Sequence, residues 1–373
     1  LTIVWIYFFG FATFGIGPNH VNARVRKRLL KGKSNAREDD PLLSIHDKDG
    51  NKILRFACVS DTHNKHHDIE LPKADVFIIA GDFSYKGTDE EVTDFCNWLR
   101  DSVAPLYKAI IVIPGNHDLT MDTDFYERDW DKWHPDNKQD PEALQHKVRH
   151  ALDEYNETAS RKTDYFYLLD DTITYEGIVI HGAPWVLPLM NLQMAFTSKN
   201  QKELINHWRE TIPKNIDLLI THGPPHGMRD RMMFRYYQNT GDLGLTQSDT
   251  LRPPKIHVFG HVHETYGVTF SHGVTFINCS TNTMTYQPVH PPIVFDMFCN
   301  TNDDEVPPLS SNDLNDTLSS SNPIDNRLVN VLDSVDDHQD DSVDDEEVLE
   351  EVPIEGSNDD VLDKTEDSPS TDQ

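Results

Sequence analysis

The 373-residue chain is 37% hydrophobic and 26% charged, long enough for one large domain or two ordinary ones. Its formal net charge of -30 is unevenly spread: Thr301–Gln373 holds 24 acidic and 2 basic residues, whereas residues 1–300 sum to only -8. The main body therefore has no basic field of the kind that recruits nucleic acid or an anionic membrane. The four cysteines, Cys58, Cys96, Cys279 and Cys299, form no CxxC pair and read as buried free thiols of a reducing compartment.

In chain order, Leu1–Gly17 is almost wholly apolar and is followed by Arg24, Arg26, Lys27, Arg28, Lys31 and Lys33. Two readings stand: a leader with no role in the mature protein, or a membrane anchor whose basic flank keeps the body on the cytoplasmic side. Residues 18–51 read as a polar and basic linker. From residue 52 to 299 short apolar runs alternate with helical patterns, which predicts an α/β domain. The predicted strands are Ile53–Ser60, Asp75–Ala80, Ala109–Ile113, Ile178–His181, Ile216–Thr221, Ile256–Phe259, Gly267–Phe270 and Val274–Cys279. Several are near-continuous Val, Ile and Phe, as expected of strands covered on both faces. Thr88 and Glu91 form a capping box ahead of a buried face at Val92, Phe95, Cys96, Leu99 and Val103. A second helix is predicted from Pro141 to about Tyr155, with Met121–Asp140 as a long loop holding short helical pieces. Residues 300–373, rich in Asp, Glu and Ser, cannot bury enough apolar surface to offset ordering and read as a disordered acidic tail.

Five short motifs each follow an apolar run: Asp61-Thr62-His63, Gly81-Asp82, Gly115-Asn116-His117-Asp118, Thr221-His222-Gly223 and Gly260-His261-Val262-His263. Ligand sites of α/β sheets lie at the carboxyl ends of strands, where all five fall. In an extended chain, positions i and i+2 point to one side, so Asp61/His63 and His261/His263 can each converge. Two carboxylates, one amide oxygen and four imidazoles complete two metal shells if one carboxylate bridges. Two such metals polarise a phosphoryl oxygen and generate hydroxide near neutral pH. Imidazole with carboxylate suits Mn, Fe or Zn. Elsewhere, His66 and His67 read as exposed loop residues, His257 as a packed core residue, and His181 and Trp185 as shaping a loop. A phosphate contact by His226 and Arg229 stays open.

Together the motifs resemble the calcineurin-like metallophosphoesterase superfamily over about Arg55–Asp296. The strings His181-Gly-Ala-Pro-Trp185, Thr221-His-Gly-Pro-Pro225, Ile256–Gly267 and Pro291-Pro-Ile-Val-Phe-Asp296 are similar to a narrower group, the metallophosphoesterase-domain-containing, class III phosphodiesterase-like proteins. The resemblance implies a four-layer α/β/β/α sandwich with the motifs on loops at one edge. It implies one metal on Asp61, His63, Asp82 and His263, and another on Asp82, Asn116, His222 and His261. A hydroxide between the metals would attack phosphorus, with His117 as proton donor and Asp118 either orienting it or serving a structural role only.

The expected activity is hydrolysis of a small phosphodiester such as a nucleotide, a cyclic nucleotide among the candidates. Against it stand a nuclease, which the mildly acidic body disfavours, and a non-catalytic metal-binding scaffold whose acidic tail meets a protein partner. The expected location is cytoplasmic, either free or tethered to a membrane through residues 1–17.

Overall fold

Near-continuous apolar runs become the central strands of two stacked sheets. The computed structural model describes residues 45–46, 52–188, 192–233 and 238–299, all within one unit. The apolar leader or anchor, most of the linker and the acidic tail lie outside the described residues.

The first sheet contains β1 (Ile45–His46), β2 (Lys52–Val59), β3 (Val76–Ala80), β4 (Ala109–Ile113) and β5 (Asp164–Tyr167). The last four run parallel in that order. Ile45–His46 pairs antiparallel with Ile53 and Lys52. The second sheet contains β6 (Asp171–Tyr175), β7 (Ile178–Ala183), β8 (Leu218–Thr221), β11 (Ile256–Phe259), β12 (Gly267–Ser271) and β13 (Val274–Asn278). Its order is β12-β13-β11-β8-β7-β6, with parallel pairing from β13 through β7. The short pair β9 (Arg231–Met232) and β10 (Gln238–Asn239) stands apart. Finally β14 (Ile293–Phe298) returns to the first sheet antiparallel to β2, where Phe295 stacks on Phe56 with ring centroids 5.2 Å apart.

Alternation along the strands separates three packed layers of apolar side chains. Phe56, Cys58, Ile78 and Ile111 of the first sheet face Ile180, Ile220, Val258 and Ile277 of the second. On its other face the first sheet sends Val59, Phe77, Ile79 and Val112 against helices. These are α1 (Asp89–Trp98), α2 (Thr123–Trp133) and α3 (Pro141–Arg149), followed by the short α4 (Asp153–Thr158). The outer face of the second sheet packs Ala183 and Leu219 against Leu204 and Trp208 of α5 (Gln201–Thr211) and Leu245 of α6 (Leu243–Leu251). The result is the expected α/β/β/α order. All four cysteines are free and buried.

Two helical expectations change. The helix predicted to reach Tyr155 ends at Arg149, because His150 leaves the helical region, and α4 resumes the chain three residues on. Within Met121–Asp140 stands the full helix α2, opened by Asp122, whose side chain accepts from the Phe125 N–H. Among the described residues no helix is long and apolar enough to cross a membrane.

Candidate metal centre

Four of the five motif loops are tied in two pairs by backbone hydrogen bonds before any side chain contributes. Asp61 N–H donates to Gly81 O at 3.0 Å, His63 N–H to Asp82 O at 3.0 Å, and Gly260 N–H to His222 O at 2.9 Å. Ser60 pairs with Ser280 across the two sheets, with Thr281 N–H donating to Ser60 O at 2.8 Å. The parallel strand ends of both sheets therefore share one rim.

The backbone there is unusual. Asp61, His63, Asp82 and His261 all have positive φ, between 40° and 66°. Non-glycine residues rarely adopt that region, and such conformations gather at functional sites, where the surroundings hold them. The extended-chain argument for i, i+2 convergence thus fails for both doublets; turns aim these side chains. Close approach also explains Gly260, where a Cβ would overlap Asp61 Oδ2 and Ser60 Oγ, and Gly115, where it would overlap Asp82.

Two clusters of ligand-type atoms result, Asp61, His63 and His263 in one and Asp82, His222 and His261 in the other, and a third group of His63, Asp82 and His117 overlaps both. The His261/His263 doublet divides between them. Asp82 joins the two, since its Oδ2 lies 3.2 Å from His222 Nε2 and 3.6 Å from His63 Nε2. Its other oxygen accepts from the His117 N–H at 2.7 Å. Asn116 Oδ1 lies 3.1 Å from His222 Nε2, while its amide donates to Met194 Sδ. All seven expected ligand residues are therefore assembled at the rim.

Hydrogen bonds fix which imidazole atoms face inward. His222 Nδ1 lies 2.9 Å from Ala80 O, and His263 Nδ1 lies 3.0 Å from Thr283 O. A carbonyl only accepts, so both Nδ1 atoms carry hydrogen, and in the neutral ring both Nε2 atoms present bare lone pairs. His222 Nε2 then faces Asn116 Oδ1 and Asp82 Oδ2. His263 Nε2 faces Asp61 Oδ1 at 3.3 Å and His63 Nε2 at 3.4 Å. Acceptor set against acceptor is repulsive unless a proton or a metal cation lies between them, and the raised pKa of His222 and of His263 shows that a proton fills that place when no metal does. The buried His261 Nε2 and His63 Nδ1 have no protein partner.

The electrostatics agree with a cation site. Burial pushes His63 and His261 down to about 3, which keeps them as neutral ligands. Burial also opposes charge on His222, but Asp82 and then Asp61 outweigh it and raise that group to about 9. Asp82 stays well below the usual carboxylate range against its own burial, chiefly through His222. A second coordination feature, the donation of the far ring nitrogen to a carbonyl, is what metal-ligating histidines normally show. The residues present thus fit divalent cations.

Asp118 does not orient His117. Its carboxylate accepts from Ser84 N–H and Oγ–H, at 2.8 and 2.6 Å, and from Gly115 N–H at 2.7 Å. It braces the Gly115–Asn116 turn instead, and burial followed by the Asp82 charge pushes it up to about 8. His117 is oriented by a backbone group, its Nδ1 lying 3.0 Å from Tyr85 O. Arg229 spends its guanidinium on the carbonyls of Thr265, Tyr266 and Val268, away from any phosphate role. His66 is buried rather than exposed, 3.0 Å from Asp94, whereas His67 is exposed. His257 is packed in its strand between Thr221 and Asp249, and His181 and Trp185 bond to Thr172 and Asp170.

Sequence reasoning missed the supporting residues. Ser280 Oγ donates to Asp61 Oδ2 at 2.8 Å, and the carbonyls of Thr283 and Tyr85 hold His263 and His117. The polar run Asn278-Cys-Ser-Thr-Asn282 after an apolar strand was the available signal. Carbonyl partners leave none, because any residue supplies one.

The fold is a two-sheet α/β sandwich that carries candidate metal-binding clusters on one rim. A family model for calcineurin-like phosphoesterase matches residues 54–265, and the chain belongs to that family. The family normally uses divalent metals. The human and mouse metallophosphoesterase domain-containing protein 1 are each 38% identical over 248 residues, covering 65% of this chain and 71% of theirs. The UPF0046 protein T07D4.2 of Caenorhabditis elegans is 33% identical over 280 residues, covering 73% of this chain and 65% of its own.

Proposed function

We propose that this protein is a dinuclear, metal-dependent hydrolase of small phosphodiesters. The observation that carries the reading is the pair of clusters joined through Asp82 Oδ2, each with a histidine Nε2 turned onto carboxylate or amide oxygens. In this reading Asp61, His63, Asp82 and His263 hold one divalent cation, and Asp82, Asn116, His222 and His261 the other. Two such ions, Mn, Fe or Zn by the donor set, supply Lewis-acid charge at a phosphoryl oxygen and acidify an attacking water.

The chain's own residues divide the remaining work. Asp82 is shared and is held by the His117 N–H, so the two positions keep a fixed separation. Ser280 and the His261 N–H fix the Asp61 carboxylate. His117, with Nδ1–H on the Tyr85 carbonyl, keeps Nε2 as the atom that exchanges a proton. It donates that proton to the leaving oxygen, a contribution of about 10²–10⁴ in rate. A purely structural metal site has no use for such a group, which favours an enzyme over a scaffold. The diester preference and nucleotide class come from the group resemblance, and the substrate is taken to be small because the domain offers no basic stripe.

The test is hydrolysis of bis-p-nitrophenyl phosphate and p-nitrophenyl phosphate by the full chain with Mn²⁺, beside Asp82→Ala. Wild type is expected to cleave the diester faster than the monoester, and Asp82→Ala to lose at least a hundredfold. Equal activity in the two proteins overturns the assignment.

A further inference from the structure

Outside the rim centre, another trio of ligand-type side chains converges that the proposed reaction does not use. The short turn His66–Asp68 begins three residues after His63, and both of its histidines meet Asp94 of α1. His66 Nε2 lies 3.0 Å from Asp94 Oδ2, and His67 Nε2 lies 3.1 Å from each Asp94 oxygen. The two rings stand side by side, with centroids 4.6 Å apart and planes at 45°. One ligand atom from each of the three residues falls within 4.8 Å of the other two.

Three features suit the trio to a cation. The first is spacing. Donors at about 2.0–2.2 Å from a tetrahedral zinc stand roughly 3.3–3.6 Å apart, so the trio needs only a slight outward movement to admit an ion. The second is rigidity. His66 is fully buried, and its ring packs on Phe95 and Trp98 with centroids 5.8 and 5.0 Å away. Its Nδ1 is buried without a hydrogen-bond partner, so Nε2 is the polar tie that the ring has, and it is turned onto Asp94. Burial also holds His66 down to about 4, which makes it a neutral ligand near neutral pH. The third is access. The side chains of His67 and Asp94 are 55% and 52% exposed, so an ion can enter and keep water at the positions the protein leaves open.

We propose that His66, His67 and Asp94 bind one Zn²⁺-type ion, separate from the rim centre, which staples the loop carrying Asp61 and His63 to α1. Two imidazoles and one carboxylate with open positions suit zinc, whereas Mn²⁺ binds such a set far more weakly and leaves it empty. The same loop already meets α1 through Asn64 Nδ2, which donates to Glu91 Oε1 at 2.6 Å. The ion adds a second tie one helical turn further on.

The test is Zn²⁺ uptake by the full chain, counted by mass spectrometry after equilibrium dialysis, beside His67→Ala, Asp94→Ala and His146→Ala. The last is a control that breaks a surface histidine pair, His146 and His150, whose ring centroids are 4.2 Å apart. Wild type and His146→Ala are expected to hold one Zn²⁺ more than His67→Ala and Asp94→Ala, whatever the rim centre holds. Zn²⁺ should also raise the urea midpoint of wild type more than that of His67→Ala, because an ion bound only by the folded chain stabilises it. Equal Zn²⁺ uptake in wild type, His67→Ala and Asp94→Ala, loss of the extra ion in His146→Ala instead, or an equal rise of the midpoint in wild type and His67→Ala overturns the proposal.

Discussion

Single residues decide the chemistry here through which atom they turn inward. His222 and His263 give their Nδ1 protons to carbonyls, and that leaves Nε2 for a cation. His117 makes the same kind of bond to Tyr85 O but stands half-buried, with a ring nitrogen within 4.8 Å of ligand atoms of His63 and Asp82. The two roles separate in His117→Asn. Metal content by mass spectrometry should stay at the wild-type level, while kcat on bis-p-nitrophenyl phosphate falls about 10²–10⁴-fold. A fall in metal content of similar size would make His117 a ligand instead. All seven ligand candidates were legible because each follows an apolar strand run. Between the two readings of Asp118 the sequence could not choose, because adjacency says nothing of direction: its carboxylate points back to Ser84 and Gly115, the structural role.

Elements were legible where burial left a pattern. Ala109–Ile113 and Ile256–Phe259 were found because both faces are covered. Asp171–Tyr175 was missed, since it is an edge strand with mostly exposed side chains, and Asp164–Tyr167 for a similar reason. Ile293–Phe298 is paired with β2 from more than 230 residues away, a partnership that local pattern does not announce. In α2 the charged residues between Phe125, Tyr126, Trp130 and Trp133 obscured the apolar face. The capping box of α1 was read correctly: Thr88 Oγ1 accepts from Glu91 N–H at 3.3 Å, and Glu91 Oε2 from Thr88 N–H at 3.2 Å. Thr88→Ala should cost about 0.5–2 kcal/mol in urea unfolding. Because α1 packs Val92 and Phe95 under the Asp82 turn rather than touching the centre, diester hydrolysis at low denaturant should be unchanged.

At the scale of the whole molecule, two parallel-rich sheets stacked face to face bring five separate strand ends to one rim, and family membership follows from the same residues. Buried uncharged histidines set how this fold responds to acid. Burial holds His181 down to about 4, and His66 likewise, against an ordinary value of 6.5. The unfolded chain therefore takes up more protons than the native one between those values, so stability falls as pH drops from about 6.5 to about 4. His181→Asn should flatten the pH dependence of the urea midpoint across that window relative to wild type, and an equally steep dependence would remove His181 from the account.

His261 and His263 are assigned to different ions of one centre sharing Asp82. Metal stoichiometry of the full, Mn²⁺-loaded chain, beside His261→Ala and His263→Ala, tests this assignment most directly. Two divalent ions per chain are expected in wild type and one in each variant. A single ion in wild type, or loss of the same lone ion in both variants, would contradict it.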